Sequence, residues 1–267
     1  MPKISVISGA YNVADNYALD KSLKSVLNQS FGDFEFIICD DSSSDESFSL
    51  LSEYAKRDSR IKIIRNEENL GHAATLNKCI NESSGEYIAR HDLDDYNDTE
   101  RFKKQIEYLS LHPEISLLGT SAYIFDENGV FGQEKFPLEV KNKDFLRSSP
   151  YKHGSVMFRK SALLKAGGYR VAKETRRTED YDLFMTMQTF SKGANLDEAL
   201  YYFCEDKNSF KRRKYRYRID EAKIRFKGFS KLGLMPAGIF YVLKPLIVGL
   251  IPTPIIRKLK RKRQKIK

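Results

Sequence analysis

Hydrophobic and polar positions follow two rhythms along the first half of the chain, and the switches between them mark the elements. Short β-branched runs at 4–7, 34–39, 61–65 and 87–89 have the length and composition of buried strands. Stretches of helical period stand between them: 17–29, with Leu19, Leu23, Val26 and Leu27 on one face, then 45–57 and 72–82. The first turn of 45–57 carries Asp45 and Glu46, where the helix dipole favours anions. A longer helix is predicted from about 98 to 111, ending before Pro113. Such alternation builds a doubly wound α/β sheet. The pattern then becomes mixed, with strands at 116–125 and 154–158, a short helix at 161–166 and another at 181–190. No internal repeat appears.

Composition narrows the class. With 267 residues, 41% of them hydrophobic, the chain has the size and content of a folded enzyme built on one large domain or a domain with an appendage. Residues 1–8 read as a strand rather than as a signal peptide, so a cytoplasmic location is expected. Cys39, Cys79 and Cys204 form no CxxC and cannot pair evenly, which fits a reducing compartment, and Cys39 and Cys79, in apolar runs, read as core thiols.

The charge is unevenly placed. Of a net +10, residues 211–267 carry 19 lysines and arginines against Asp220 and Glu221, a local +17, so the first 210 residues carry −7. The overall basicity therefore says nothing about the body. Residues 1–210 read as the catalytic domain and 211–267 as a helical, basic extension. Within the extension, 234–256 is mostly apolar but contains Lys244, Pro236, Pro245, Pro252 and Pro254, which argue against a straight membrane-spanning helix. Eight lysines and arginines follow between 257 and 267. Apolar surface next to cations suits attachment to an anionic membrane face. The alternatives are a buried hairpin followed by a solvated end, and a nucleic-acid arm. The second is weakened because Tyr215, Tyr217, Phe226 and Phe229 fit one helix face as well as a stacking platform.

In an open α/β sheet, ligands gather outside the carboxyl ends of the strands. After the first strand comes Ser-Gly-Ala-Tyr-Asn, 8–12, with small residues that let the backbone approach a ligand and Tyr11 to stack on. After the second comes Asp-Asp-Ser-Ser-Ser-Asp, 40–45; capping accounts for Ser44 and Asp45 but leaves Asp40 and Asp41 free to accept hydrogen bonds from a base or ribose. After the strand at 87–89 comes Arg-His-Asp-Leu-Asp-Asp-Tyr, 90–96. Its Asp92, Asp94 and Asp95 repel one another unless a cation is shared, and Mg²⁺ or Mn²⁺ held by one or two carboxylates plus phosphate oxygens satisfies them. A fourth cluster, Thr-Glu-Asp-Tyr-Asp-Leu at 178–183, opens an apolar helix, and beside a metal–nucleotide site its carboxylates gain the meaning of a general base.

These clusters, in this order and with these gaps, resemble the inverting glycosyltransferases of family 2. The resemblance covers about residues 3–205 and extends to 69–77 and 153–170. It implies the GT-A fold, a Rossmann-like doubly wound mixed sheet, and a sugar moved from a nucleotide-diphosphate donor, UDP-linked by expectation, to a glycan or lipid-linked acceptor in surface-polysaccharide assembly. Carried over by position, Ala10, Tyr11 and Asp41 match the uridine-contacting residues. Asp92 and Asp94 match the DxD motif, Asp94 as the direct ligand of Mn²⁺ or Mg²⁺ and Asp92 nearer the ribose. Asp180 matches the catalytic base and Glu179 its acceptor-side neighbour, and His153 is a candidate for the acceptor or diphosphate side. Two positions depart from the family pattern. No proline precedes Tyr11-Asn12, and Cys204 stands where a basic residue is common, leaving the diphosphate to Lys207 or to 211–214. A sugar nucleotidyltransferase is the rival reading, but it wants a Gly-rich loop with a basic residue that 8–12 lacks. A nucleic-acid-binding protein would leave the carboxylates without purpose.

Overall fold

Strict alternation of buried side chains between two apolar clusters decides the centre of the molecule. In β1 (Ile4–Ala10), Ile4 and Val6 face one cluster and Ile7 the other. The next elements are α1 (Leu19–Leu27) and β2 (Phe34–Asp40), where Phe34, Phe36 and Ile38 oppose Ile37 and Cys39. A strand buried on both faces needs a helical layer on each side. Each fully buried Ile or Val contributes about 1.5–3 kcal/mol. The chain continues through α2 (Ser47–Arg57), β3 (Ile61–Arg65), α3 (His72–Glu82), β4 (Tyr87–Arg90), β5 (Tyr96–Asn97), α4 (Arg101–Leu111), β6 (Ile115–Asp126) and β7 (Gly129–Glu134). It ends with β8 (Met157–Arg159), α5 (Lys160–Lys165), α6 (Glu179–Gln188), β9 (Lys192–Cys204), α7 (Arg216–Lys231) and α8 (Ile239–Val248). The computed structural model describes residues 1–14, 18–205 and 215–252, with 255, 256, 259 and 264.

The nine described strands form one mixed sheet in the order β3-β2-β1-β4-β8-β6-β9-β5, with β7 on β6. β3, β2, β1 and β4 are parallel, and β8 runs antiparallel to both β4 and β6. Strand order reverses between β1 and β4, so a crevice opens at their carboxyl ends, where ligands bind in such sheets. The expected α/β mixed sheet is present. Several elements depart from the sequence reading, among them β7 and β9, which it did not contain. The segment 154–158 begins as a 3₁₀ turn at His153–Ser155 and extends only from Met157. α2 starts at Ser47, with Asp45 outside it accepting from the Ser47 amide at 3.0 Å. α4 starts at Arg101 and not near 98, and the two-residue β5 before it has no counterpart in the sequence reading.

α7 and α8 close the face of the sheet that α6 covers. Ala222, Ile224, Phe229, Leu232 and Val242 belong to the same apolar cluster as Phe145, Tyr181 and Phe184. The outer side of α8 is different: Phe240, Leu243 and Ile247 are exposed, as are Leu250 and Ile251 beyond it. No described helix is long and apolar enough to cross a membrane. Tyr17, the Lys207 and 211–214 cations and most of 257–267 lie outside the described residues. All three cysteines are buried, and none of them is in a disulfide.

Candidate active site

The carboxyl ends of β1, β2 and β4 and the first turns of α3 and α6 supply the side chains of the crevice. Ala10 is buried at the end of β1, and the next residue, Tyr11, is exposed. Asp41 is buried beyond β2. Its amide donates to the Ala10 carbonyl at 2.8 Å, and its carboxylate accepts from Asn66 Nδ2 at 2.7 Å and from the Leu70 and Gly71 amides, both at 2.9 Å. Asp41 thus ties the loop before α3 to the end of β1. Asp40 is also buried, accepting from the Ser43 amide at 3.1 Å and pairing with Arg65 at 3.0 Å.

The three carboxylates after β4 have three different surroundings. Asp92 is paired with Arg90, a guanidinium with no solvent exposure that also donates to the Ile7 and His91 carbonyls. Burial opposes ionisation of Asp92, but the Arg90 charge outweighs it and holds the carboxyl below its ordinary range. Asp95 is buried and pushed the other way, first by burial and then by the charges of Asp94 and Asp92, although the Cys204 amide donates to it at 2.7 Å. Asp94 is exposed. Part of the repulsion that pointed to a metal is therefore answered by Arg90 and by protonation-favouring burial, and Asp94 is the exposed member of the three.

The loop carrying Asp92 is held by a chain of hydrogen bonds whose directions are fixed. Arg101 is fully buried and can only donate, so Asn97 Oδ1 accepts from it at 2.5 Å. Asn97 Nδ2 then donates to His91 Nδ1 at 3.2 Å, and His91 Nε2–H donates to Ser22 Oγ at 2.8 Å, leaving the Ser22 hydroxyl to donate to the Asp92 carbonyl at 3.3 Å. Burial, reinforced by Arg101, lowers the His91 pKa to about 3, so the relay is neutral. From the other side the Tyr201 hydroxyl accepts from the Asp92 amide at 3.2 Å.

Two histidines line the crevice. His72 opens α3; its ring lies against Gly9, where a Cβ would stand 3.4 Å from Nδ1. Arg90 Nη2 donates to its Nε2 at 3.0 Å, so the imidazole is neutral, and crowding and the Arg90 charge lower its pKa. His153 lies 6.2 Å from it between ring centroids and is bonded to the Tyr169 hydroxyl at 2.8 Å. Burial and Arg90 lower the His153 pKa well below the ordinary value. Asn77 positions Tyr169, donating to its carbonyl at 2.7 Å and accepting from its amide at 2.8 Å.

Asp180 stands in the first turn of α6 with Glu179 beside it. Burial first, then the Glu179 charge and more weakly that of Asp92, raise its pKa to about 7, against hydrogen bonds from the helix amides. Glu179 in turn acts on His72. Asp92, His72, His153, Glu179 and Asp180 thus share one electrostatic environment, whereas Ala10, Tyr11 and Asp41 line its β1–β2 side. Arg90, His72 and Tyr201 are the residues that sequence reasoning passed over. Arg90 was the findable one, being the cation adjacent to the acidic cluster.

Asp92 and Asp94 are hard oxygen donors of the kind that hold Mg²⁺ or Mn²⁺ together with phosphate and water. Among the described residues no group of three or more His, Cys, Asp or Glu is arranged to hold a metal by itself. The donor set fits a cation that arrives with a phosphorylated substrate.

Gly154 shows how tightly the site is built. A Cβ there would fall 2.0 Å from the Tyr201 hydroxyl oxygen, the acceptor of the Asp92 amide. Gly154→Ala is expected to displace Tyr201, cost about 1–3 kcal/mol and lower activity with it. Thermal melts beside initial rates check this, and an unchanged melting temperature would contradict it.

Comparison with known proteins gives a consistent picture. The family model described as Glycosyl transferase family 2 matches residues 5–171. EpsE of Bacillus subtilis (strain 168), provisionally described as a glycosyltransferase, is 38% identical over 264 residues, 98% of this chain and 94% of its own. The amylovoran biosynthesis glycosyltransferase AmsE of Erwinia amylovora is 30% identical over 266 residues, 98% of this chain and 99% of its own. Among solved structures, S. aureus TarS 1-349 in complex with UDP-GlcNAc superposes with a TM-score of 0.70 at 21% identity, covering 92% of this chain and 72% of TarS. The Pyrobaculum calidifontis mannosyltransferase PcManGT, in complex with GDP-Man and Mn²⁺, reaches 0.63 at 15% identity, covering 97% and 79%. At these identities the two structures speak for the fold.

Proposed function

The chain belongs to glycosyltransferase family 2, and from that premise we propose that it moves a sugar from a UDP-linked donor to an acceptor hydroxyl with inversion at the anomeric carbon. The observation that carries the reading is the convergence of Asp180, with its raised pKa, and the Asp92–Asp94 loop on one crevice. Its glycosyltransferase class answers the nucleotidyltransferase alternative. The UDP preference draws support from TarS, and use of a divalent cation from PcManGT.

Ala10, Tyr11 and Asp41 would receive the uridine, Asp41 through the backbone it orders as well as through its own oxygens. Asp94, with Asp92 behind it toward the ribose, would hold Mn²⁺ or Mg²⁺, which when bound offsets charge on the donor diphosphate. Asp180 takes the proton of the attacking hydroxyl, its pKa near neutrality matching a general base. Glu179 and neutral His153 face the acceptor, His153 oriented by Tyr169. A panel of UDP-sugars incubated with Mn²⁺ and assayed for UDP release tests the reading; no release from any donor would overturn it.

The acceptor in this proposal is a lipid-linked or growing surface glycan, consistent with the amylovoran biosynthesis named for AmsE. The outer stripe of Phe240, Leu243, Ile247 and Leu250, followed in sequence by eight cations, supports peripheral attachment to the inner, anionic face of the membrane. Phe240 and Leu250 are 78% and 74% exposed, more than packing on the body would leave. Each Lys or Arg near such a surface contributes about 1 kcal/mol, so attachment should weaken with salt and with loss of anionic lipid. In co-sedimentation, the full chain is expected to pellet with anionic vesicles at low salt, and Phe240→Ser with Ile247→Ser to remain in the supernatant with UDP binding intact. Indifference of the full chain to anionic vesicles would remove the membrane role.

A further inference from the structure

The crevice face of the sheet carries a contact that the proposed reaction does not use. In the register of β7, β6 and β9, Glu134 stands beside Ala122 and Ala122 beside Tyr201, while Gly132 stands beside Ile124 and Ile124 beside Phe203. Such lateral rows project on one face of a sheet. It is the face of the site: the Tyr201 hydroxyl accepts from the Asp92 amide, and Lys152, the residue before His153, has its Nζ 3.9 Å from the centre of the Phe203 ring. Gln264 is seated on these rows. It is 4% exposed, and its Nε2 donates to Glu134 Oε1 at 2.6 Å. Gly132 makes room for its backbone, since a Cβ at 132 would fall 2.7 Å from the Gln264 carbonyl oxygen and 3.1 Å from its Cβ. Glu134 is shared, because Lys152 Nζ pairs with its Oε2 at 2.6 Å. The seat therefore borders the acceptor side of the crevice.

Charge favours this occupant, and the contact holds it lightly. Gln264 stands in sequence between Arg263 and Lys265, among the eight lysines and arginines of 257–267, whereas residues 1–210 carry −7. Among the described residues, the buried Gln264 Oε1 has no hydrogen-bond partner, a cost set against the gain of the Glu134 bond. The cations flanking Gln264 are also those that an anionic bilayer attracts. A chain held at Gln264 keeps them at β7, and a chain spread on headgroups gives up the Glu134 bond.

Resting on the reading of 211–267 as a membrane-attaching extension, we propose that the Gly132–Glu134 face of β7 is an intramolecular seat for the C-terminal segment, in competition with the anionic membrane. The segment leaves the acceptor side when the chain reaches the bilayer. By linkage, the apparent affinity for the membrane is reduced by the fraction of chains that are seated.

The experiment compares the full chain as wild type, Gly132→Val and Gln264→Ala, neither of which alters the charge. Valine suits a strand, so Gly132→Val keeps the melting temperature while its side chain takes the place of the Gln264 backbone; Gln264→Ala removes the Glu134 bond without touching the sheet. Limited trypsin digestion without lipid, read by mass spectrometry, gives the rates of cleavage after Arg263 and Lys265. Co-sedimentation with phosphatidylglycerol vesicles gives the membrane affinity. Both variants are expected to be cut about three- to tenfold faster than wild type and to bind the vesicles about three- to tenfold more tightly, the shift that loss of one hydrogen bond produces. Wild-type cleavage rates in both variants overturn the seat. Faster cleavage with vesicle affinity equal to that of wild type overturns the competition and leaves the membrane reading standing. If neither the wild type nor the variants bind these vesicles, the membrane reading fails, and the competition with it.

Discussion

Asp180→Asn is expected to lower sugar transfer by about two to four orders of magnitude while leaving UDP affinity nearly intact, because a missing base removes an interaction made only in the transition state. The amide keeps the size of the carboxyl and cannot take the proton. The pH behaviour separates this role from a structural one. With the Asp180 pKa raised to about 7, the ionised fraction falls about tenfold for each unit below that value, so kcat should decline on acidification through neutrality. Stability runs in the opposite sense. A carboxyl whose folded pKa lies above its unfolded value of 3.8 adds stability below that value, and the gain is lost as pH rises through about 7. Asp180→Asn should therefore melt higher than wild type at pH 8 and show no such advantage at pH 4. If the variant retains near wild-type transfer, the base is another residue, with Glu179 the first to examine.

How much of this site was readable in the sequence depends on where each residue's signal came from. The β3 and α3 boundaries, 61–65 and 72–82, agree with the pattern to the residue, because a β-branched run and a clear 3.6 period are local properties. The acidic clusters were legible for the same reason, each directly following or opening an element. β9 was not. Asp197 and Glu198 interrupt its apolar run, and its pairing with β6 shifts register three times, so no period of two survives. Yet β9 delivers Tyr201 to the Asp92 amide and pairs with β5, which at two residues is too short for any periodicity to reveal. Tertiary contact alone creates those elements. The burial of Arg90 is a similar case: an arginine after an apolar strand reads as a surface cation until the sheet shows that it lies under the site and answers the Asp92 charge.

That pairing decides which carboxylate can test the metal. Asp92→Ala would leave the enclosed Arg90 cation uncompensated, a loss of about 3–5 kcal/mol on its own, so any effect on nucleotide binding would be confounded by damage to the fold. Asp94 is exposed, and its removal should leave the Arg90–Asp92 pair and the Asn97–His91–Ser22 relay standing. Asp94→Ala is therefore expected to melt within about 0.5 kcal/mol of wild type, as exposed substitutions do, and still to abolish turnover. Calorimetric titration provides the decisive contrast. In the unaltered chain, UDP should bind with Mn²⁺ and lose most of its affinity after a chelator is added, since the diphosphate then meets the negative field of Asp92, Asp94 and Glu179 without a neutralising cation. In Asp94→Ala the two titrations should coincide at weak affinity. Equal UDP affinity with Mn²⁺ and with chelator in the wild-type chain would sink the metal assignment.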